Sequence, residues 1–225
     1  MKRALLPFGL LLALHAPLPA QENAAAPQAP RAALAAGMGV EYIAAPDVTD
    51  LVNGNALPSA RAPQFRAAVE FFGACAIPVA DRWMLKLELA YDLSSYSVDA
   101  AFGPASWSMH WTMPSIILQY VLVDRGIYNV RAGAGGGYHF GGLAEKYLSL
   151  DDTFTGSGPG ALLELEANTA FGDHLYAFLG ANLRWEFVGT LTDARGVSPG
   201  IASGGAPATL HAFGAGARLG ASYLF

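Results

Sequence analysis

One cysteine, three lysines and, beyond the first few positions, no unbroken apolar run near the roughly 20 residues of a spanning helix limit what this chain of 225 residues is. With Cys75 alone there is no intramolecular disulfide and no zinc site built on several cysteines. Acids outnumber bases by 18 to 13, the wrong sign for a nucleic-acid binder. The chain is nevertheless 53% hydrophobic, so its apolar residues must be distributed in some pattern other than long runs.

The one apolar run stands at the start. Lys2 and Arg3 precede Ala4 to His15, and Pro17-Leu18-Pro19-Ala20 follows. Basic flank, short apolar core and small residue predict a signal peptide over residues 1–20, cleaved after Ala20. A retained anchor is the weaker reading, because Pro7 and Gly9 interrupt the run. Residues 21–35 read as a flexible Ala/Pro-rich lead-in, and residues 36–225 as one β-barrel domain.

What the rest contains is alternation. Counting back from the end, Phe225, Tyr223, Ala221, Leu219, Ala217, Ala215 and Phe213 are all apolar, while Ser222, Gly220, Arg218, Gly216 and Gly214 lie between them. A period of two over this length is a strand with two unlike faces. Seven earlier segments, near 36–44, 63–77, 83–93, 106–123, 128–140, 161–169 and 175–187, carry the same pattern. The connections run long, short, medium, short, long, short, long, as in an all-β, closed, antiparallel up-and-down barrel of eight strands. In the fourth segment Trp107, Met109 and Trp111 alternate with Ser108 and His110, whereas Ile116, Leu118, Tyr120 and Leu122 follow in the other phase. A bulge at Pro114 accounts for that shift.

The charges decide which face is outside. Glu41, Arg66, Glu70, Lys86, Glu88, Asp92, Arg131, Glu164, Glu166, Arg184, Glu186 and Arg218 all take the small, glycine-bearing phase. The opposite phase has aliphatic centres and aromatic ends, with Trp83, Trp107, Trp111, Tyr128, Trp185, Phe187 and Phe213 in girdle positions. A soluble, lipocalin-like barrel would put the charges outside. A transmembrane barrel puts them inside and sets two aromatic belts around an aliphatic band. Eight strands leave room only for side chains, so seven acids and five bases predict a salt-bridged interior without a wide pore.

On these residues the chain resembles the eight-stranded outer-membrane proteins of the OmpA-barrel, OmpX/Ail and OmpW type. Phe225, with Tyr223, Ala221, Leu219 and Ala217, resembles their C-terminal assembly signal. The resemblance implies residence in the cell outer membrane, with termini and short turns periplasmic. The implied partners are membrane lipid and lipopolysaccharide, the barrel assembly machinery and an unidentified ligand of the extracellular loops. Adhesion, partner binding or envelope structure is the expected activity. An OmpW-like conduit is the alternative, for which Phe72, Pro114, Tyr176 and Phe178 are the residues to inspect.

A lipid A-modifying enzyme is the third reading. Ser108 and His110, two apart and read as pointing inward, lie near His139, Asp151 and Asp152, yet Ser106-Trp107-Ser108-Met109-His110 does not match the deacylase motif. No catalytic residue is assigned. His174 and His211 lack companions at metal-ligand spacing, and Asp47, Asp50, Asp151 and Asp152 read as solvated loop acids. No metal site, cofactor or nucleic-acid partner is expected.

Overall fold

The structure, a computed structural model, describes residues 31–225 apart from 64, 101–102, 149 and 200–205. The expected signal peptide over residues 1–20 and residues 21–30 of the expected lead-in lie outside the described residues. Eight strands follow in order: β1 (Ala33–Ala44), β2 (Phe65–Ala80), β3 (Trp83–Ala100), β4 (Gly103–Asp124), β5 (Tyr128–Tyr147), β6 (Leu150–Ala170), β7 (Leu175–Thr190) and β8 (Thr209–Leu224). A helix, α1 (Pro46–Asn55), occupies the first connection. Each strand pairs antiparallel with the next, and β8 closes on β1 from Ala33 opposite Leu224 to Ala44 opposite Phe213. This is a closed up-and-down barrel. β1 starts three residues before the expected boundary, so Ala33–Ala35 belong to the barrel wall and not to the lead-in.

One end carries tight turns and both barrel termini. There the Asp124 carboxylate accepts a hydrogen bond from the Gly126 amide at 3.0 Å, and Gly126 takes a φ of 75°, which suits a residue without a Cβ. The other end is longer than expected. β3, β4, β5 and β6 have 18, 22, 20 and 21 residues, about twice the 9–11 that cross a bilayer. The stretches read as a medium loop over 97–105 and a long loop over 141–158 are therefore mostly strand, and form two projecting hairpins.

This extra length explains the apparent phase shift in β4. The register between β3 and β4 is continuous from Trp83 opposite Tyr120 to Ala100 opposite Gly103, so Pro114 carries no bulge. One set of side chains, from Ala105 through Trp107, Met109, Trp111, Met113, Ser115, Ile117 and Gln119 to Val121, faces inward throughout. The hydrophobic phase changes because the surroundings change. Along the lower strand the outside is apolar and the inside polar; along the projecting hairpin the outside meets water and the inside is an apolar core. β3 does the same, passing from outward Leu87, Leu89 and Leu93 to inward Tyr96, Val98 and Ala100.

Trp107 and Trp111 are accordingly not girdle residues. They are at most 1% exposed and sit inside the barrel with Met109, Met113, Leu143, Val188 and Leu210. α1 lies over this cluster and adds Val48, Leu51 and Val52. Proline at its start suits a helix, because that position has no intrahelical donor to lose. Asp47 accepts hydrogen bonds from the Thr209 amide at 3.1 Å and hydroxyl at 2.6 Å, which ties the helix to β8. The chain after α1 is fastened too, by the Ala56–Ala100 bridge and the Asn53 side chain on Ala62.

The outer wall below the hairpins is aliphatic, with Val40, Leu87, Leu89, Ile116, Leu118, Leu163, Leu165, Leu179 and Leu219 all exposed. Aromatics border it. Trp83 packs on Tyr120 and Tyr223 on Phe225 near the turns, with Tyr128 alongside. Trp185 on Phe213, Phe187 on His211, and Tyr138 on Phe140 form the other border. Among the described residues no helix is long and apolar enough to cross a membrane. In this geometry Leu165→Arg, near the middle of the band, costs about 2–4 kcal/mol of stability in lipid vesicles. Urea titration of the refolded variant checks it, with the exposed hairpin substitution Thr153→Arg as a near-neutral control.

Candidate functional site

The sequence pattern assigns the twelve charged positions to one face but says nothing of who meets whom. Closing the barrel brings most of them together in its middle third. Three bases form a chain across the lumen. The Arg184 guanidinium reaches Glu88 at 2.8 Å, Glu70 at 3.2 Å and Glu41 at 3.3 Å. Arg218 donates to both Glu88 oxygens, at 2.9 and 3.0 Å, and to Glu70 at 2.7 Å, while its flat face covers the Phe72 ring at 4.9 Å. Lys86 contacts Glu88 at 3.0 Å, Glu164 at 2.8 Å, and Glu166. All of these side chains are nearly inaccessible to solvent, which makes such groups costly unless each finds partners.

Four charged positions stand apart from that chain: Glu186, which meets His139, and three more. Arg66 lies over the Tyr96 ring at 4.9 Å, beneath α1. Arg131, on β5, is in register with Glu166 on β6. Asp92 makes no ion pair among the described residues; its carboxylate faces those of Glu41 and Glu70. Glycine opposite long side chains provides room. A Cβ at Gly216 would stand 2.6 Å from Glu41, and one at Gly160 would stand 2.1 Å from the His139 ring.

Groups outside the twelve charged positions complete the network. Gln119 donates to Glu164 at 2.8 Å, and Asn182 donates to Glu41 at 2.6 Å. His139 is fully buried, with Nε2 3.2 Å from the Ser115 hydroxyl and Nδ1 on the Glu186 carboxylate. For Gln119, Asn182 and Ser115 the inward phase was the available signal, but without charge nothing set them apart from space-filling residues; His139 stood out in the sequence only as a candidate for a relay.

Ser108 and His110 face the other way. With no bulge at Pro114 they point outward from the wall, Ser108 exposed and His110 beside the Tyr91 ring. The barrel wall thus separates them from His139, and no relay joins the three. Asp151 lies 3.8 Å from Lys146 on the exposed hairpin. Phe72 and Phe178 pack edge to face at 5.4 Å inside the barrel, and Tyr176 donates its hydroxyl proton to the Gly126 carbonyl at 3.0 Å.

Apolar layers close the network at both ends. Towards the turns lie Ala33, Ala76, Met84, Val121, Tyr176 and Leu224, and towards the hairpins lies the cluster under α1. In β8, Ala217, Leu219, Ala221 and Tyr223 all face outward; Phe225, just after the strand, is exposed too, and its amide donates to the Ala32 carbonyl at 2.9 Å.

Eight up-and-down strands closed on themselves, aliphatic outside and charged within, have the architecture of an eight-stranded transmembrane β-barrel. Solved structures share the fold. Neisserial surface protein A is 7% identical, with 86% of this chain and 97% of that one covered at a TM-score of 0.54. The Ail attachment invasion locus protein of Yersinia pestis is also 7% identical, with 88% and 100% covered and a TM-score of 0.54. A major outer membrane protein of Thermus thermophilus is 14% identical, with 86% and 99% covered and a TM-score of 0.52. At such identities the likeness is one of fold. No protein-family model matches the chain, and no curated protein matches it.

Proposed function

We propose that the chain is an integral outer-membrane protein that acts through its hairpin end, in adhesion, partner binding or envelope structure, while its filled interior serves as a strut. The observation that carries this reading is the contrast between the two parts of the molecule. The lumen holds a buried ion-pair network between two apolar layers, which favours a strut over a conduit. The hairpins instead project past the aliphatic band, and their outward residues are polar: Ser95, Ser97, Ser108, Asp151, Thr153 and Thr155. At the tip of the β5–β6 hairpin Leu148 is 69% exposed and holds a φ of 55°, an uncommon conformation for a leucine. An exposed apolar side chain fixed in this way suits contact with a partner.

Residues 193–197, which follow β7, are tied together as well. Asp193 accepts the Val197 and Arg195 amides at 2.8 Å each and pairs with the Arg195 guanidinium at 2.7 Å. The Val197 amide and the other donors hold its carboxyl below the usual range. A partner would meet a prearranged surface. The hairpin end faces the cell exterior in this reading, with turns and termini periplasmic, the aliphatic band among lipid and lipopolysaccharide, and Phe225, Tyr223 and Leu219 offered to the assembly machinery. Attachment is named for the Yersinia protein of the same fold, and suits a hairpin-borne activity here.

Purified, refolded protein added to planar bilayers should give no stepwise currents. Robust single-channel steps would replace the strut by a channel. Protease added to intact cells should cut within residues 145–152 and leave the barrel whole; cutting only after permeabilisation would reverse the orientation.

A further inference from the structure

The ion-pair network does not balance. Seven inward acids, Glu41, Glu70, Glu88, Asp92, Glu164, Glu166 and Glu186, face five inward bases. The surplus is one negative charge if His139 is protonated and two if it is neutral. Burying even one uncompensated charge between two apolar layers is strongly unfavourable. Its location is visible: Glu41, Glu70 and Asp92 each present a carboxylate oxygen, all within 4.8 Å of one another, and Asp92 makes no ion pair among the described residues.

We propose that this trio binds one hard divalent cation, of the calcium or magnesium kind, enclosed as the barrel closes. Oxygens within 4.8 Å of each other match ligands held about 2.0–2.6 Å from a common centre. Independent observations point to the same spot. A cavity of about 10 Å³, room for about one water, adjoins two members of the trio, Glu41 and Asp92, and is otherwise lined by Trp111, Arg184, Glu186 and the small or apolar residues beside them; Glu70 does not reach it. Glu186, 5% exposed, contributes an unpartnered carboxylate oxygen, and Trp111 an unpartnered N–H. With His139 neutral, a divalent cation carrying one water balances the surplus: the metal takes the carboxylate oxygens of the trio, and its water accepts from Trp111 and donates to Glu186. A water alone would satisfy the hydrogen bonds and leave the charge.

The chain is refolded into detergent micelles with calcium, magnesium or terbium, then passed through a chelator column. Because the apolar layers impede exchange, close to one ion per chain remains bound. Terbium emission is sensitised through the indole of Trp111. Asp92→Asn lowers retained metal at least tenfold, whereas Trp111→Phe keeps the metal and loses most of the sensitised emission. The unfolding midpoint of the wild type is higher after refolding in calcium than in chelator, and that of Asp92→Asn is the same in both. Wild-type protein that retains no ion would overturn the site, the more so with an infrared band of a protonated carboxylic acid that Asp92→Asn removes. Equal retention by Asp92→Asn would place the ion on the exposed hairpin acids and would also overturn it.

Discussion

Arg218→Met lowers the stability of the refolded barrel by about 3–5 kcal/mol, the cost of stranding buried charges when one partner is removed. Arg218 is 2% exposed and joins Glu70, Glu88 and Glu164 from three other strands. Methionine fills comparable space against Phe72, so packing loss is a minor part of the effect. Glu88 keeps Lys86 and Arg184, and Glu70 keeps Arg184 alone, so Glu70 bears most of the loss. Pairing Arg218→Met with Glu70→Gln should therefore cost less than the single change, a coupling that a packing defect would not produce. Arg218→Lys should fall between, because an ammonium keeps the charge but not the two-pronged hold on Glu88. Urea titrations in lipid vesicles, read by the mobility of unheated samples on gels, give all three values, with exposed Arg125→Met as control. A single-variant loss under about 0.5 kcal/mol would mean that the interior is hydrated well enough to tolerate a missing partner.

The phase of Arg218 was readable from the sequence because lipid imposes one rule on every strand that crosses it: apolar outward, everything else inward. The strands, their antiparallel order, the closure of β8 on β1 and the inward face of the charged residues all follow from this rule. Three things do not. The rule stops at the membrane border, so the inverted pattern of Trp107, Met109 and Trp111 looked like a bulge at Pro114 and carried Ser108 and His110 to the wrong side of the wall. Hairpins whose outside is serine and threonine resemble loops in composition, which hid the upper parts of β3 to β6 and the lid formed by α1. Partners within the network depend on the stagger around the barrel. Glu41 and Asp92 are 51 positions apart and meet through strands that do not adjoin, and no spacing rule joins them.

Trp107 separates the two readings of β4 by a large margin. Inside the hairpin core, at 0% exposure, Trp107→Ala removes an indole that neighbouring strands and α1 cannot replace, and costs about 3–5 kcal/mol. In a lipid girdle the same change would forfeit little beyond one aromatic contact. Trp83 supplies that comparison within the same chain. It is 42% exposed on the outer wall, with its ring 4.9 Å from Tyr120, and Trp83→Ala should cost about 0.5–1.5 kcal/mol. Brominated lipids should quench the fluorescence of Trp83 and leave that of Trp107 unchanged, since the β4 hairpin places Trp107 above the aliphatic band and behind the wall. Both variants should still migrate as folded barrels, because the lower strands and the charge network are untouched. The opposite ranking, with Trp107 quenched by lipid and cheap to remove, would restore a bulge at Pro114 and turn Ser108 and His110 back into the barrel.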